Sequence, residues 1–212
     1  MSAGTPQMTI GTIRNTSVLM TEPIRITEVL SYFKEPWYID WVHRVGRTEA
    51  NRISKASMKI GTRVDELIKK ECVESNHIAT VYKKESLEVQ NCLLAYRKWH
   101  NNYKPKSLSS CSRLNATIEG QEVTGEPDLM VDDVLVDIKC STKISPSYWV
   151  QVNMYRRLSE QCGKVGILRL DKTTSSYEYI VKEFDGKLCD VWVGLMRAFV
   201  YYKGDSHDGA EL

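Results

Sequence analysis

The chain has 212 residues, of which 42% are hydrophobic and 26% charged, and its formal net charge is +2. That length suits one domain burying roughly 70% of its unfolded surface, and the composition excludes disordered and fibrous classes. The net charge is too small to announce a nucleic-acid partner by itself. No apolar run approaches the ~20 residues that span a bilayer, and the first twenty residues lack the charged start and apolar core of a secretion signal, so no membrane association and an intracellular, cytoplasmic protein are expected.

Residues 1–22 are polar, with Gly4, Pro6 and Gly11, and read as a flexible arm or an added edge element. A single domain is expected over 23–204, and a loose polar tail over 205–212. Thr27 suits the cap of a helix running through Val29, Leu30, Tyr32 and Phe33 and ending near Pro36. Trp37, Ile39, Trp41 and Val42 form an aromatic cluster expected in the core. The spacing of Ala56, Ile60, Val64, Leu67 and Ile68 predicts a second helix from near Thr48 to about Cys72. Val89, Leu93, Tyr96 and His100 predict a third over about Glu85 to Tyr103, stopped before Pro105.

From Ser107 the texture changes to strands, with a turn at Glu119-Gly120-Gln121. A hairpin follows, then a helix from about Ser147 to Cys162 closed by Gly163. Strands over Val165–Leu170 and Tyr177–Phe184 come next, and a helix from about Lys187 to Tyr202 is last. The order predicts an α/β fold: a mixed, mostly antiparallel central sheet flanked by helices.

The hairpin carries the chemistry. It reads Pro127-Asp128-Leu129-Met130-Val131-Asp132-Asp133-Val134-Leu135-Val136-Asp137-Ile138-Lys139. If Asp132-Asp133 is a two-residue turn, Leu129 faces Val136 and Asp128 faces Asp137. Directly opposed residues share a face, with Cβ atoms about 4.5–5.5 Å apart. Two carboxylates at that separation repel and call for a proton or cation between them. Lys139 shares the face of Asp137, about 7 Å further on. Two acids and a lysine on one face of an apolar hairpin have the look of a divalent-metal hydrolytic site.

Between Val89 and Ile118 there is no acidic residue, while Arg97, Lys98, Lys104, Lys106 and Arg113 are basic and Tyr96, Trp99, His100 and Tyr103 are interleaved. This stretch suits either a phosphate-contacting edge with stacking groups for DNA or a solvated face beside half-buried aromatics. The six cysteines are scattered without a CxxC pair, which argues against zinc and for reduced thiols.

Gln151 and Tyr155, four apart on one helix, share a face. With Pro127-Asp128 and Asp137-Ile138-Lys139 they resemble the PD-(D/E)xK nuclease superfamily, and as a QxxxY pair they resemble its RecB-like branch. Gly61-Thr62 followed by Asp65 is similar to that branch's helical GTxxH motif, with aspartate where histidine is usual. The resemblance runs over residues 26–155 and implies a restriction-endonuclease-like core. It implies Mg2+ or Mn2+ held by Asp128, Asp137 and the backbone carbonyl of Ile138, with Asp65 or its neighbour Glu66 as a further ligand. It assigns catalytic roles to Lys139, Gln151 and Tyr155 as well. Iron–sulfur members carry Cys-Pro where this chain has Glu35-Pro36, and no C-terminal cysteine cluster is present, so no iron–sulfur cluster is expected.

The expected activity is metal-dependent hydrolysis of DNA phosphodiester bonds in recombination, repair or replication. A homodimer is expected by analogy with enzymes that cut two strands. The general look of the chain is similar to small archaeal virus proteins, which implies the host cytoplasm. The alternatives are a catalytically silent DNA-binding protein on the same fold, a small-molecule phosphodiesterase, and a protein-interaction module built on the Trp37–Trp41 cluster.

Overall fold

Asp132 sits in the left-handed backbone region at φ 54° and turns the chain as the sequence predicts, pairing Val131 with Val134, Met130 with Leu135 and Leu129 with Val136. The structure, a computed structural model, describes residues 19–73, 84–160 and 163–205. In chain order the elements are β1 (Ile24–Arg25), α1 (Ile26–Tyr32), α2 (Pro36–Val45), α3 (Arg47–Val73), α4 (Leu87–Tyr103), β2 (Leu108–Ser110), β3 (Leu114–Ile118), β4 (Gln121–Gly125), β5 (Leu129–Val131), β6 (Val134–Lys139), α5 (Pro146–Ser159), β7 (Lys164–Leu170), β8 (Tyr177–Glu183) and α6 (Gly186–Asp205). The first eighteen residues of the predicted arm, Cys162 and the tail beyond Asp205 lie outside the described residues.

The fold is mixed α/β and mostly antiparallel, as expected, but its strands form two sheets rather than one. Five strands run in the order β2-β5-β6-β7-β8, with only β6 and β7 parallel; three more run β1-β4-β3, with β1 and β4 parallel. The sheets part between β4 and β5 at Glu126-Pro127, where proline has no N–H to give a ladder. A parallel β6–β7 pair needs a crossover, and α5 is that crossover. It packs Val152, Met154 and Tyr155 against Leu135, Val165 and Ile167, the sheet face that also carries Asp137.

Strand β6 is covered on both sides. Leu135 belongs to the core on the side of α5 and α6, while Val134 and Val136 belong to the core that also holds Val64, Leu67 and Ile68 of α3 and Leu93 and Trp99 of α4. That two-sided burial explains the unbroken Val-Leu-Val run, and each fully buried side chain there contributes roughly 1.5–3 kcal/mol. The polar groups at its end are therefore held by a rigid strand.

Helix ends follow local chemistry. Ser86 caps α4 by accepting from the Val89 N–H, and Lys104 closes it in the left-handed region ahead of Pro105. Ser145 caps α5 and Pro146 takes its first position. Two expectations are corrected. Helix α1 begins at Ile26, with Arg25 at its cap position and no side-chain cap bond, so Thr27 lies inside the first turn. The Trp37–Val42 cluster is not core: α2 has no buried residue, and Trp37 and Ile39 are each 46% exposed. Its rings shield one another instead, Trp37 edge-on to Tyr38 and Tyr38 tilted against Trp41.

Candidate active site

One step beyond the last β5–β6 pair, Asp128 and Asp137 come together as the register requires. Asp128 is half-buried, and its Oδ2 accepts from the Ile138 N–H at 2.6 Å. Asp137, only 2% exposed, lies 2.6 Å through Oδ2 from Lys139 Nζ. The α5 crossover brings Gln151 onto the same face. Its Nε2 donates to Asp137 Oδ1 at 3.0 Å and to Tyr155 Oη at 2.8 Å, and its Oε1 accepts from Lys139 Nζ at 3.0 Å. A flipped amide would aim N–H groups at an ammonium, so the network fixes the orientation of Gln151. Asp128, Asp137, Lys139, Gln151 and Tyr155 thus form one cluster.

Helix α3 contributes Asp65. Its Oδ2 pairs with Lys69 Nζ at 3.0 Å, and Lys69 pairs with Glu126 at 3.0 Å, two residues before Asp128. Arg113 reaches the other Glu126 oxygen at 3.6 Å. Asp65 Oδ1 is buried with no hydrogen-bond partner. Glu66 turns away: it pairs with Arg63 at 3.1 Å and is exposed, so Asp65 is the acid that α3 offers to the hairpin.

The electrostatics follow from crowding. Burial, then the Asp137 and Asp65 charges, raise the Asp128 carboxyl well above its ordinary range. Burial raises Asp137 as well, against the pull of Lys139. Burial acts to lower the Lys139 ammonium, but the charges of Asp137 and Asp128 overcome it and hold the group above its usual value. Lys139 is therefore held as a charged donor beside the two carboxylates. The Tyr155 hydroxyl is pushed up by burial and by Asp137, which keeps it neutral.

Among the described residues, no three His, Cys, Asp or Glu side chains meet as a ready-made metal cage. The donor set still fits a hard divalent cation. Mg2+ characteristically takes one or two carboxylates and keeps several waters. Here two facing carboxylates resist joint ionisation, and a third acid within electrostatic reach has an unpartnered buried oxygen.

The basic stretch does not form one edge beside this cluster. Tyr96 and Trp99 are buried in the α3–α4 core. Lys98 donates to the Ser175 carbonyl at 2.9 Å, in the β7–β8 loop. The backbone N–H of Lys106 donates to Asp132 Oδ1, placing Lys104 and Lys106 at the turn of the hairpin, about 15 Å along β6 from Asp137. Arg97, on α4, lies within electrostatic reach of Glu71. Arg113, through Glu126, joins the network around Asp128.

Several contributors escaped sequence reasoning. Lys69 was signalled only by its i+4 spacing from Asp65, and Glu126 only by its place before Pro127. Tyr148 lies under Lys139 Nζ, 4.9 Å from the ring centre. Glu35 accepts from Ser145, the α5 cap, and from Trp37 Nε1, tying α2 to the loop that follows Lys139.

No protein-family model matches the chain, and no curated protein matches it. Solved structures similar to it include a phage-related exonuclease from Haemophilus somnus 129PT, 14% identical at TM-score 0.45, with 89% of this chain and 97% of that one covered. Another is an alkaline exonuclease from Laribacter hongkongensis, 14% identical at TM-score 0.43, with 88% and 93% covered. Likenesses this distant carry no part of the functional reading, which rests on the residues described above. Among the described residues, no helix is long and apolar enough to cross a membrane.

Proposed function

We propose that the chain is a metal-dependent nuclease that hydrolyses DNA phosphodiester bonds, built on the RecB-like variant of the PD-(D/E)xK site. One observation carries this reading: Asp128, Asp137 and Lys139 share one sheet face, and Gln151, itself bonded to Tyr155, bridges Asp137 and Lys139. Asp128, Asp137 and the Ile138 carbonyl would hold Mg2+ or Mn2+, with Asp65 beside them. Such an ion supplies Lewis acidity toward a phosphoryl oxygen and a water of lowered pKa.

The chain's own groups do the rest. Lys139, kept protonated by two carboxylates, offers its ammonium to the charge that develops on the phosphoryl oxygens. Gln151 spends both amide hydrogens on Asp137 and Tyr155 and its oxygen on Lys139, so acid and ammonium keep a fixed separation. Tyr155, neutral and buried, anchors that amide.

The test is cleavage of supercoiled and linear DNA by the full chain with Mg2+ or Mn2+. Activity is expected with either ion and is expected to fall at least a hundredfold in Asp137→Asn and Lys139→Ala, the scale of losing a positioned charge stabiliser. Cleavage that survives both substitutions would refute the assignment.

A further inference from the structure

We propose that the exposed aromatic face of α2 is a stacking platform for an unpaired DNA strand, so that the substrate of the neighbouring site is single-stranded or frayed DNA. This rests on reading that site as a DNA nuclease. Trp37, 46% exposed, and the half-buried Tyr38 and Trp41 form a continuous row of rings on a helix with no buried residue. Exposed aromatics of this size are costly to leave in water without a use.

Cations lie over two of these rings: Lys143 Nζ is 5.0 Å from the Trp37 ring centre, and Lys34 Nζ is 5.4 Å from that of Tyr38, the middle ring. Below Trp37 runs an apolar groove of about 520 Å3, lined by Phe33, Pro36, Ile144 and Val150 among others.

Charge decides the occupant. The acids beside the rings are Glu35, whose carboxylate accepts from Ser145 and Trp37 Nε1, and Asp40 on α2; the exposed cations Lys34, Arg44 and Lys143 outnumber them. In a two-fold dimer the same patch meets itself, which would set Lys34 and Lys143 against lysines. A polyanion with flat bases matches both features, because ammonium groups meet phosphates and bases stack on rings. An intact duplex offers its bases only edge-on, so the π faces select an unpaired strand. The platform is also continuous with the site: Lys143 and Ser145 belong to the loop joining Lys139 to α5.

The test separates binding from cutting. In EDTA, (dT)20 and a 20-base-pair blunt duplex are titrated into the full chain while tryptophan emission is followed. Trp99 and Trp192 are fully buried and Trp149 is half-buried on α5, so the part of the quenching that is lost in Trp37→Phe reports on the α2 platform. The expected result is quenching by (dT)20 and an affinity for it roughly tenfold above that for the duplex. Trp37→Ala should lose about tenfold for (dT)20 only, the scale of one stacked base, and Lys143→Ala should weaken it too, while Trp37→Phe stays near wild type.

Equal affinity for both DNAs, absence of quenching, or a Trp37→Ala variant that binds (dT)20 like wild type would overturn the platform, even if DNA is cut with Mn2+. Loss of a dimer in Trp37→Ala with unchanged DNA binding would overturn it in favour of a second copy. Quenching and tenfold loss in a chain that cuts nothing with any divalent ion would uphold the platform and defeat the nuclease reading instead.

Discussion

Gly125 and Tyr155 lie so close that one methyl group has no room between them: a Cβ on Gly125 would sit 2.6 Å from Tyr155 Cε1 and 2.9 Å from Ile26 Cδ1. The end of β4 is thus the wall against which Tyr155 leans while its hydroxyl accepts from Gln151. Gly125→Ala must push the ring or the strand. The expected outcome is a loss of about 1–3 kcal/mol in stability and a fall of roughly 10–100-fold in cleavage rate, the range typical of a lost outer positioning contact. Thermal unfolding and cleavage assays check both. In a Tyr155→Ala background most of the stability cost should vanish; if it persists in full, the wall is not what Gly125 provides.

The second prediction concerns the Asp137–Lys139 pair. Breaking a buried pair from one side leaves the other charge uncompensated, at roughly 3–5 kcal/mol. Asp137 is the deeper partner, its side chain 3% exposed against 20% for Lys139. Without metal, Lys139→Ala should therefore unfold at lower denaturant than Asp137→Asn, which leaves the lysine an escape to solvent. Saturating Mn2+ should restore Lys139→Ala by occupying the carboxylates, without restoring its cleavage. Equal denaturation midpoints for the two variants would contradict this account.

Helix α3 offers a choice that the sequence left open. Asp65 and Glu66 are adjacent, about 100° apart around the helix. Asp65 pairs inward with Lys69 and keeps one buried, unpartnered oxygen, while Glu66 pairs outward with Arg63. Mn2+ titrated calorimetrically into Asp65→Asn should bind at least tenfold more weakly than into the wild type, and Glu66→Gln should bind it normally. The reverse ranking would move the ligand to Glu66.

What the sequence made legible, and what it hid, has a physical pattern. The β5–β6 hairpin was legible because the period-two alternation and the Asp132-Asp133 turn fix a register that puts Asp128 opposite Asp137, and a slip of one residue would bury the acids on the wrong side. The Gln151–Tyr155 bond was legible because four residues make one helical turn. The α2 cluster misled, because aromatic content reads as core and no local pattern says how little of this helix the other described elements cover. The fate of the basic stretch was not legible either, because a helix and two short strands send its cations to different surfaces: Lys98 to the β7–β8 loop, Lys106 to the hairpin turn, Arg113 to Glu126. The split into two sheets and the Gly125–Tyr155 contact depend on packing between segments far apart in the chain, which no window of sequence contains.

The crowded acids predict a stability that moves with pH in an unusual direction. Burial first, then neighbouring charge, holds Asp128 above its ordinary value, and burial does the same for Asp137 despite Lys139. Between the unfolded carboxyl value of about 3.9 and the higher folded values, the folded chain binds more protons than the unfolded one, so stability falls as pH rises. The contribution is complete below about pH 4 and is lost as pH climbs through the folded values. A divalent cation needs the ionised carboxylates, so its stabilisation grows over the same window, reaching about 2.7 kcal/mol at a hundredfold excess over Kd. Melting curves in EDTA and in Mn2+ should therefore diverge as pH rises from 4 toward neutrality. Glu71, which burial also holds above its ordinary value, titrates in this range too, so the signal is the difference between wild type and Asp128→Asn. That difference should favour the variant increasingly in EDTA and the wild type increasingly in Mn2+. Two curves that stay parallel from pH 4 to 8 would mean that the two aspartates do not share a charge problem, and the case for a cation between them would go with it.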